Sequence, residues 1–203
     1  NTAVGRLALY SNTTGTLNTA TGSQSLEDNT TGHSNTASGH QALNANTTAD
    51  NNTAMGMMAM QTNTTGANNV AVGYTSLRVS TTASNNVAIG YEAGRSITTS
   101  AGNVYIGKGA GRSTTTSYGS NVAIGQNAFY TNTTGYSQTA VGGQALFSNT
   151  SGIESTALGY EALYSNTTAS KNTAVGHYAS RANTTGANNV AVGKNALSDN
   201  TTG

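Results

Sequence analysis

Apolar residues along this chain recur at neither a helical nor a simple alternating interval. They follow a longer beat read as Asn-Thr-Ala-Val-Gly-x-x-Ala-Leu-x-Ser-Asn-Thr-Thr-Gly-x-x, a unit of 17 residues. Units begin at Asn1, Asn18, Asn35, Asn52, Asn69, Asn86, Asn103, Asn121, Gln138, Ser155, Asn172 and Asn189, and the spacing of 17 becomes 18 only once. A repeat this short gains stability only by stacking on its neighbours. Residues 1–203 therefore read as a single repeat array. Neither end carries an atypical unit, which predicts a segment of a longer fibre.

Numbering each unit from 1 to 17, β-branched residues flank position 3, as in Val70 with Val72 and Val87 with Ile89, and predict a strand over positions 2 to 4. A second strand is expected over positions 8 to 10. Gly stands at position 5 of every unit, which implies a positive φ or an approach too close for a Cβ. Position 15 also takes Ala49, Ala83, Ala169, Ser100 and Ser117, so that turn is more tolerant. Thr, Asn, Gly and β-branched residues occupy the places helix formers would need. The expected fold is an all-β parallel β-solenoid of twelve 17-residue coils, a rod about 55 to 60 Å long at ~4.8 Å per coil. Ala3 beside Val4 and Ala8 beside Leu9 put apolar groups on both faces of such strands. Other copies of the chain are expected to cover the outer face, making the array an obligate oligomer.

Charge placement separates this pattern from disordered low-complexity sequence. Every Lys, Arg, Asp and Glu falls at position 6, 7, 10, 11, 16 or 17, and all three His share those columns. They read as the solvent face. Charged residues make up 7% of the chain, against about 25% in ordinary domains. A net charge of +1 gives no global field for nucleic acid, and no apolar run reaches membrane-spanning length. Cys is absent, so no disulfide reports on the compartment. One region, 69–120, departs from the pattern: position 12 becomes Ser80, Ile97 and Thr114, position 9 becomes Gly94 and Gly111, and one residue is inserted after Ser117. Tyr105 stands there in place of the position-3 Ala, and its ring is expected to fill the volume given up by Gly94 and Gly111. Drift in a tolerant repeat and selection for a site both account for the region.

The stretches Asn-Asn-Val-Ala-Val-Gly (68 to 73), Asn-Asn-Val-Ala-Ile-Gly (85 to 90) and Ser-Asn-Val-Ala-Ile-Gly (120 to 125) resemble the head repeat of trimeric autotransporter adhesins, and similar repeats build phage tail-fibre shafts. The resemblance implies a left-handed parallel β-roll and a homotrimer wound about a common axis. It also implies an extracellular fibre on a cell surface or virion that meets host receptors or surface glycans. The unit here is longer than the family's, the extra residues falling most simply in the Asn-Thr-Thr-Gly turn. The alternatives are a passive spacer shaft and an ice-binding solenoid.

Candidate chemistry is sparse. Thr13, Thr30, Thr47 and their equivalents form a ladder that would give one outward rank of hydroxyls, and Ser/Thr turns onto local backbone explain it equally well. Asn12, Asn29, Asn46, Asn63, Asn132, Asn149, Asn166, Asn183 and Asn200 lie in glycosylation sequons, though an internal Asn ladder would demand the same residues. A calcium roll needs an acid in each turn and only Asp28, Asp50 and Asp199 are present. Glu27 with Asp28, and Glu154 with Glu161, do not form a carboxylate pair for catalysis, so no enzyme or cofactor is expected. Arg78, Arg95 and Arg112 share position 10 of three successive coils. They read either as a solvated row partly neutralised by Glu92 or as a strip for acidic surface glycans, with Tyr74 and Tyr91 as sugar-stacking platforms.

Overall fold

A computed structural model describes residues 1–115 and 118–203. Each unit supplies one three-residue strand: β1 (Thr2–Val4), β2 (Thr19–Thr21), β3 (Thr36–Ser38), β4 (Thr53–Met55), β5 (Val70–Val72), β6 (Val87–Ile89), β7 (Val104–Ile106), β8 (Val122–Ile124), β9 (Thr139–Val141), β10 (Thr156–Leu158), β11 (Thr173–Val175) and β12 (Val190–Val192). They form one parallel 12-stranded sheet in chain order. Residues 17 apart are paired, as in Thr2 with Thr19, except that Val104 pairs with Val122. The chain is a parallel β-solenoid with one coil per unit. Thr116 and Ser117, and with them the turn at Ser117, lie outside the described residues, whereas the residue inserted after Ser117 falls in the described stretch 118–120, and the sheet continues without a break on the far side.

Within each strand the central residue points inward. Ala20, Ala37, Ala54, Ala71 and Ala88 are fully buried, while the residues at positions 2 and 4 face outward and are half-buried or exposed. A thin coil has room for a methyl group and little more, which is why position 3 is held to Ala. Gly at position 5 then turns the chain with φ between 122 and 138°. A Cβ at Gly90 would stand 2.6 Å from the carbonyl oxygen of Gly107 in the next coil. Both reasons expected for Gly at this corner therefore operate together.

The second strand expected over positions 8 to 10 is absent. Positions 7 and 9 instead adopt left-handed backbone, for example Gln24 (φ 59), Leu26 (φ 49), Glu161 (φ 52) and Leu163 (φ 52). Two such residues break the alternation of a strand, so Ala42 and Leu43, adjacent in sequence, are both fully buried. The expectation that one residue of each Ala-Leu pair points outward is corrected accordingly. Left-handed backbone costs a non-glycine residue about 1 kcal/mol or more. Neighbouring coils on both sides hold it in place: Gln24 N–H donates to the Arg6 carbonyl (2.8 Å) and Leu26 N–H to the Ala42 carbonyl (3.1 Å).

Asparagine satisfies the rest of the coil from two internal columns. At position 1, Asn35 Nδ2 donates to the Ala49 carbonyl of its own coil (2.8 Å) while its Oδ1 accepts from the Asn52 backbone N–H (2.9 Å). At position 12, Asn29 donates to Asn12 (2.8 Å), Asn46 to Asn29 (2.8 Å) and Asn63 to Asn46 (3.0 Å). The column then meets Ser80, and both Asn63 Oδ1 and Ser80 Oγ are buried with no hydrogen-bond partner among the described residues. Ser80→Asn should extend the ladder by one rung, since Asn fits this place in the preceding coils. The expected gain is about 0.5 to 1.5 kcal/mol, read as a higher midpoint in thermal unfolding.

Part of the irregular region is explained by Tyr105. Its ring is fully buried, and a Cβ on Gly111 would lie 2.6 Å from the ring, one on Gly94 3.0 Å from it. The phenol donates to Thr114 Oγ1 (3.3 Å), and Asn132 donates to the same hydroxyl (3.4 Å). Gly94, Gly111 and Thr114 thus form one adjustment around one large side chain.

Candidate functional site

Beyond the Gly corner, positions 6, 7 and 10 of successive coils form a surface strip that holds ten of the fifteen charged residues of the chain. Column 10 runs Arg78, Arg95, Arg112, Tyr130, Phe147, Tyr164, Arg181 from the fifth coil to the eleventh. Its aromatic centre is a stack: Tyr130 and Phe147 have ring centroids 5.3 Å apart and 1° from parallel, Phe147 and Tyr164 5.1 Å and 9°. A guanidinium closes each end, Arg112 5.4 Å over Tyr130 and Arg181 5.4 Å over Tyr164. The rise of a parallel sheet, ~4.8 Å per coil, sets this spacing and holds the rings nearly face to face. In column 6, Tyr74 and Tyr91 stack at 5.3 Å and 15°, and Lys108 Nζ lies 6.0 Å from the Tyr91 ring centre.

Column 7 supplies partners to column 10 of the following coil, an offset of 20 residues. Gln61 donates to Gln41 (2.8 Å), Arg112 Nε to Glu92 (2.7 Å), and Arg181 Nε to Glu161 (2.5 Å). Left-handed backbone at position 7 (Glu92 φ 56, Glu161 φ 52) accompanies each carboxylate that reaches this junction. Glu161 is buried. Burial would push its carboxyl up, but hydrogen bonds from Arg181 and Tyr160, with the Arg181 charge, hold it below the ordinary value. The hydrogen bond to Glu92 raises Arg112 further above its ordinary value. Column 7 is therefore partly interior, a correction to its reading as pure solvent face.

Arg78, Arg95 and Arg112 do share one column, half-buried. They are differently engaged: Arg78 Nε donates to Gln61 (3.1 Å), Arg112 is paired to Glu92, and Arg95 Nε stands 3.6 Å from the other Glu92 oxygen. Tyr74 and Tyr91 are exposed, but each has one ring face covered by the other, which leaves no gap for a sugar between them. The two rings form a short ladder on the exposed surface.

Asn29, Asn46, Asn63, Asn132, Asn149, Asn166 and Asn183, all in sequons, are buried, and Asn12 and Asn200 are half-buried. In the folded coil the buried amides are engaged in the internal column and not presented to a glycosylating enzyme. The Thr ladder is likewise committed: Thr30 Oγ1 donates to the Thr47 carbonyl (3.0 Å) and Thr64 Oγ1 to that of Thr81 (3.0 Å). Among the described residues no group of three or more His, Cys, Asp or Glu side chains comes together as a metal site, and no helix is long and apolar enough to cross a membrane. Beyond the part-neutralisation of the arginine row by Glu92, the column-7 to column-10 junctions and the guanidinium-capped aromatic stack were not anticipated from sequence. The offset of 20 between Glu92 and Arg112, repeated between Glu161 and Arg181, is the signal that carries them. No family model, no curated protein and no solved structure matches this chain, so the repeat is assigned to no family.

Proposed function

We propose that the chain is a segment of an extracellular structural and adhesive fibre, built by three copies associating along the solenoid axis. The outward strand face is the observation that supports this reading. Val70, Val72, Val87, Ile89, Val104, Ile106, Val122 and Ile124 line it over four successive coils, and no unit places a charged residue at positions 1 to 5. A contiguous apolar face of this length needs cover. A second copy of the chain has the same rise per coil, so its side chains interleave in step over every coil, which a partner of another period cannot do. The resemblance of the Asn-x-Val-Ala-Ile-Gly stretches to trimeric adhesin heads favours three copies. Association through the strand face leaves the strip of columns 6, 7 and 10 free to meet another surface.

Light scattering on a sizing column tests the assembly. The expected result is a species of three times the chain mass at micromolar concentration. Ile89→Asp combined with Ile106→Asp should release monomers that keep their β-rich circular dichroism, since neither side chain belongs to the coil interior. A wild-type chain that runs as a stable monomer would overturn the reading.

A further inference from the structure

We propose that the junction of Thr75 with Arg95 is an oxyanion site that takes a carboxylate or sulfate group of an acidic polysaccharide. Three other junctions of column 7 with the following column 10 are closed by a side-chain hydrogen bond: Gln41 with Gln61, Glu92 with Arg112 and Glu161 with Arg181. Thr75 stands at position 7 opposite Arg95 and is too short and neutral to do the same. Thr75 is only 3% exposed, and its Oγ1 and Arg95 Nε are both buried without a hydrogen-bond partner among the described residues. Their presence at one junction is the observation that points to a ligand, because a buried guanidinium donor left unmatched is costly. Glu92 cannot close it. One of its oxygens is held 2.7 Å from Arg112 Nε, and the other is 3.6 Å from Arg95 Nε, outside hydrogen-bond range.

The surroundings strengthen the field. Arg78 has no acid at its junction, since Met58 occupies position 7 one coil earlier, and Lys108 lies alongside in column 6 next to Tyr91. Four cations thus share one carboxylate over three coils. Arg95 keeps 31% of its side chain exposed, so its outer nitrogens can take an oxyanion in the bidentate manner of a guanidinium fork. Single-stranded nucleic acid is disfavoured as the occupant, because Tyr74 and Tyr91 stack on each other at 5.3 Å and leave no room for a base between them. The proposal rests on the adhesive part of the reading above, and not on self-association, which light scattering measures separately.

The test uses the 203-residue chain with polygalacturonate as probe, inorganic sulfate as a separate arm and neutral dextran as control, followed by titration calorimetry. Wild type should bind polygalacturonate but not dextran, more weakly as salt rises. Arg95→Gln should weaken binding roughly tenfold or more, the effect of losing a charged hydrogen bond, while Lys171→Gln, which removes an exposed cation at position 17 outside the strip, should leave it unchanged. Thr75→Glu carries the decisive outcome. It supplies the acid within the chain, in the backbone conformation that Glu92 and Glu161 already adopt, and should abolish binding while raising the thermal midpoint. Binding that survives Thr75→Glu or Arg95→Gln overturns the proposal, as does binding of sulfate alone or of a single-stranded oligonucleotide in place of the polysaccharide. Should Thr75→Glu fail to fold, Arg95→Gln decides.

Discussion

Replacing Tyr105 with Ala is expected to lower stability by roughly 3 to 5 kcal/mol, the range for deleting a large buried aromatic side chain. The ring is fully buried and touches the places where Gly94 and Gly111 carry no side chain. Alanine fits position 3 elsewhere, but in most of those coils a large residue at position 9 (Leu, Met60 or Phe129) fills the interior, and the seventh coil has Gly111 instead. The variant therefore leaves a cavity that neither neighbour can fill. Tyr105→Ala with Gly111→Leu restores the arrangement of the other coils and should recover a large part of the loss, a non-additivity that chemical denaturation of both variants would show. Complete additivity would mean that the ring and the missing Leu are unrelated. Burial, opposed by hydrogen bonds with Thr114 and Asn121, pushes the phenol up to about 12. In the unfolded chain it titrates near its ordinary value of about 10. The folded form holds the proton longer, so this stability is complete below about pH 10 and is lost as the pH rises to about 12. Tyr105→Phe should flatten that part of the profile.

Much of the fold could be read directly from the columns. The unit length, the strand over positions 2 to 4, the Gly corner, the internal Asn column and the burial of Tyr105 follow from residue type and period, because each depends on volume or backbone demand within a coil. The turn over positions 6 to 11 did not. Its left-handed residues include Leu26, Leu43, Gln144 and Glu161, whereas that conformation is signalled by Gly, Asn or Asp. Only Gly94, Gly109, Gly111, Asn127 and Asn195 hinted at it in those two columns. Leu at position 9 is tolerated because burial and hydrogen bonds to both neighbouring coils offset a local cost that the sequence alone makes prohibitive. The aromatic stack of column 10 and the hydrogen bonds that join column 7 to column 10 escaped detection for a related reason. These contacts join residues 17 or 20 apart on different coils, so they exist only once stacking has brought the coils into step.

The same stacking makes the corner glycines the least replaceable residues of the chain. Gly90 has φ 136, a backbone that side chains rarely adopt, at a cost of about 1 to 3 kcal/mol. Gly90→Ala would also set its Cβ 2.6 Å from the Gly107 oxygen and 2.7 Å from the Gly107 carbon. Those are backbone atoms of the next corner and have no rotamer by which to withdraw. Gly107 can retreat only by loosening the bond from its N–H to the Ile89 carbonyl (2.8 Å), and the disturbance passes to Gly125, whose N–H is held by Ile106 (2.8 Å). Overpacking of this kind adds roughly 1 to 3 kcal/mol, so the expected total loss is about 2 to 6 kcal/mol. Gly193 isolates the two contributions. It shares the positive φ (122), but a Cβ there meets nothing within 4 Å, so Gly193→Ala should lose only the conformational part. Denaturant titration of the two variants would show the difference as a larger drop in midpoint for Gly90→Ala. Equal losses would mean that the coils yield to the added methyl group, and that the positive φ alone reserves the corner for glycine.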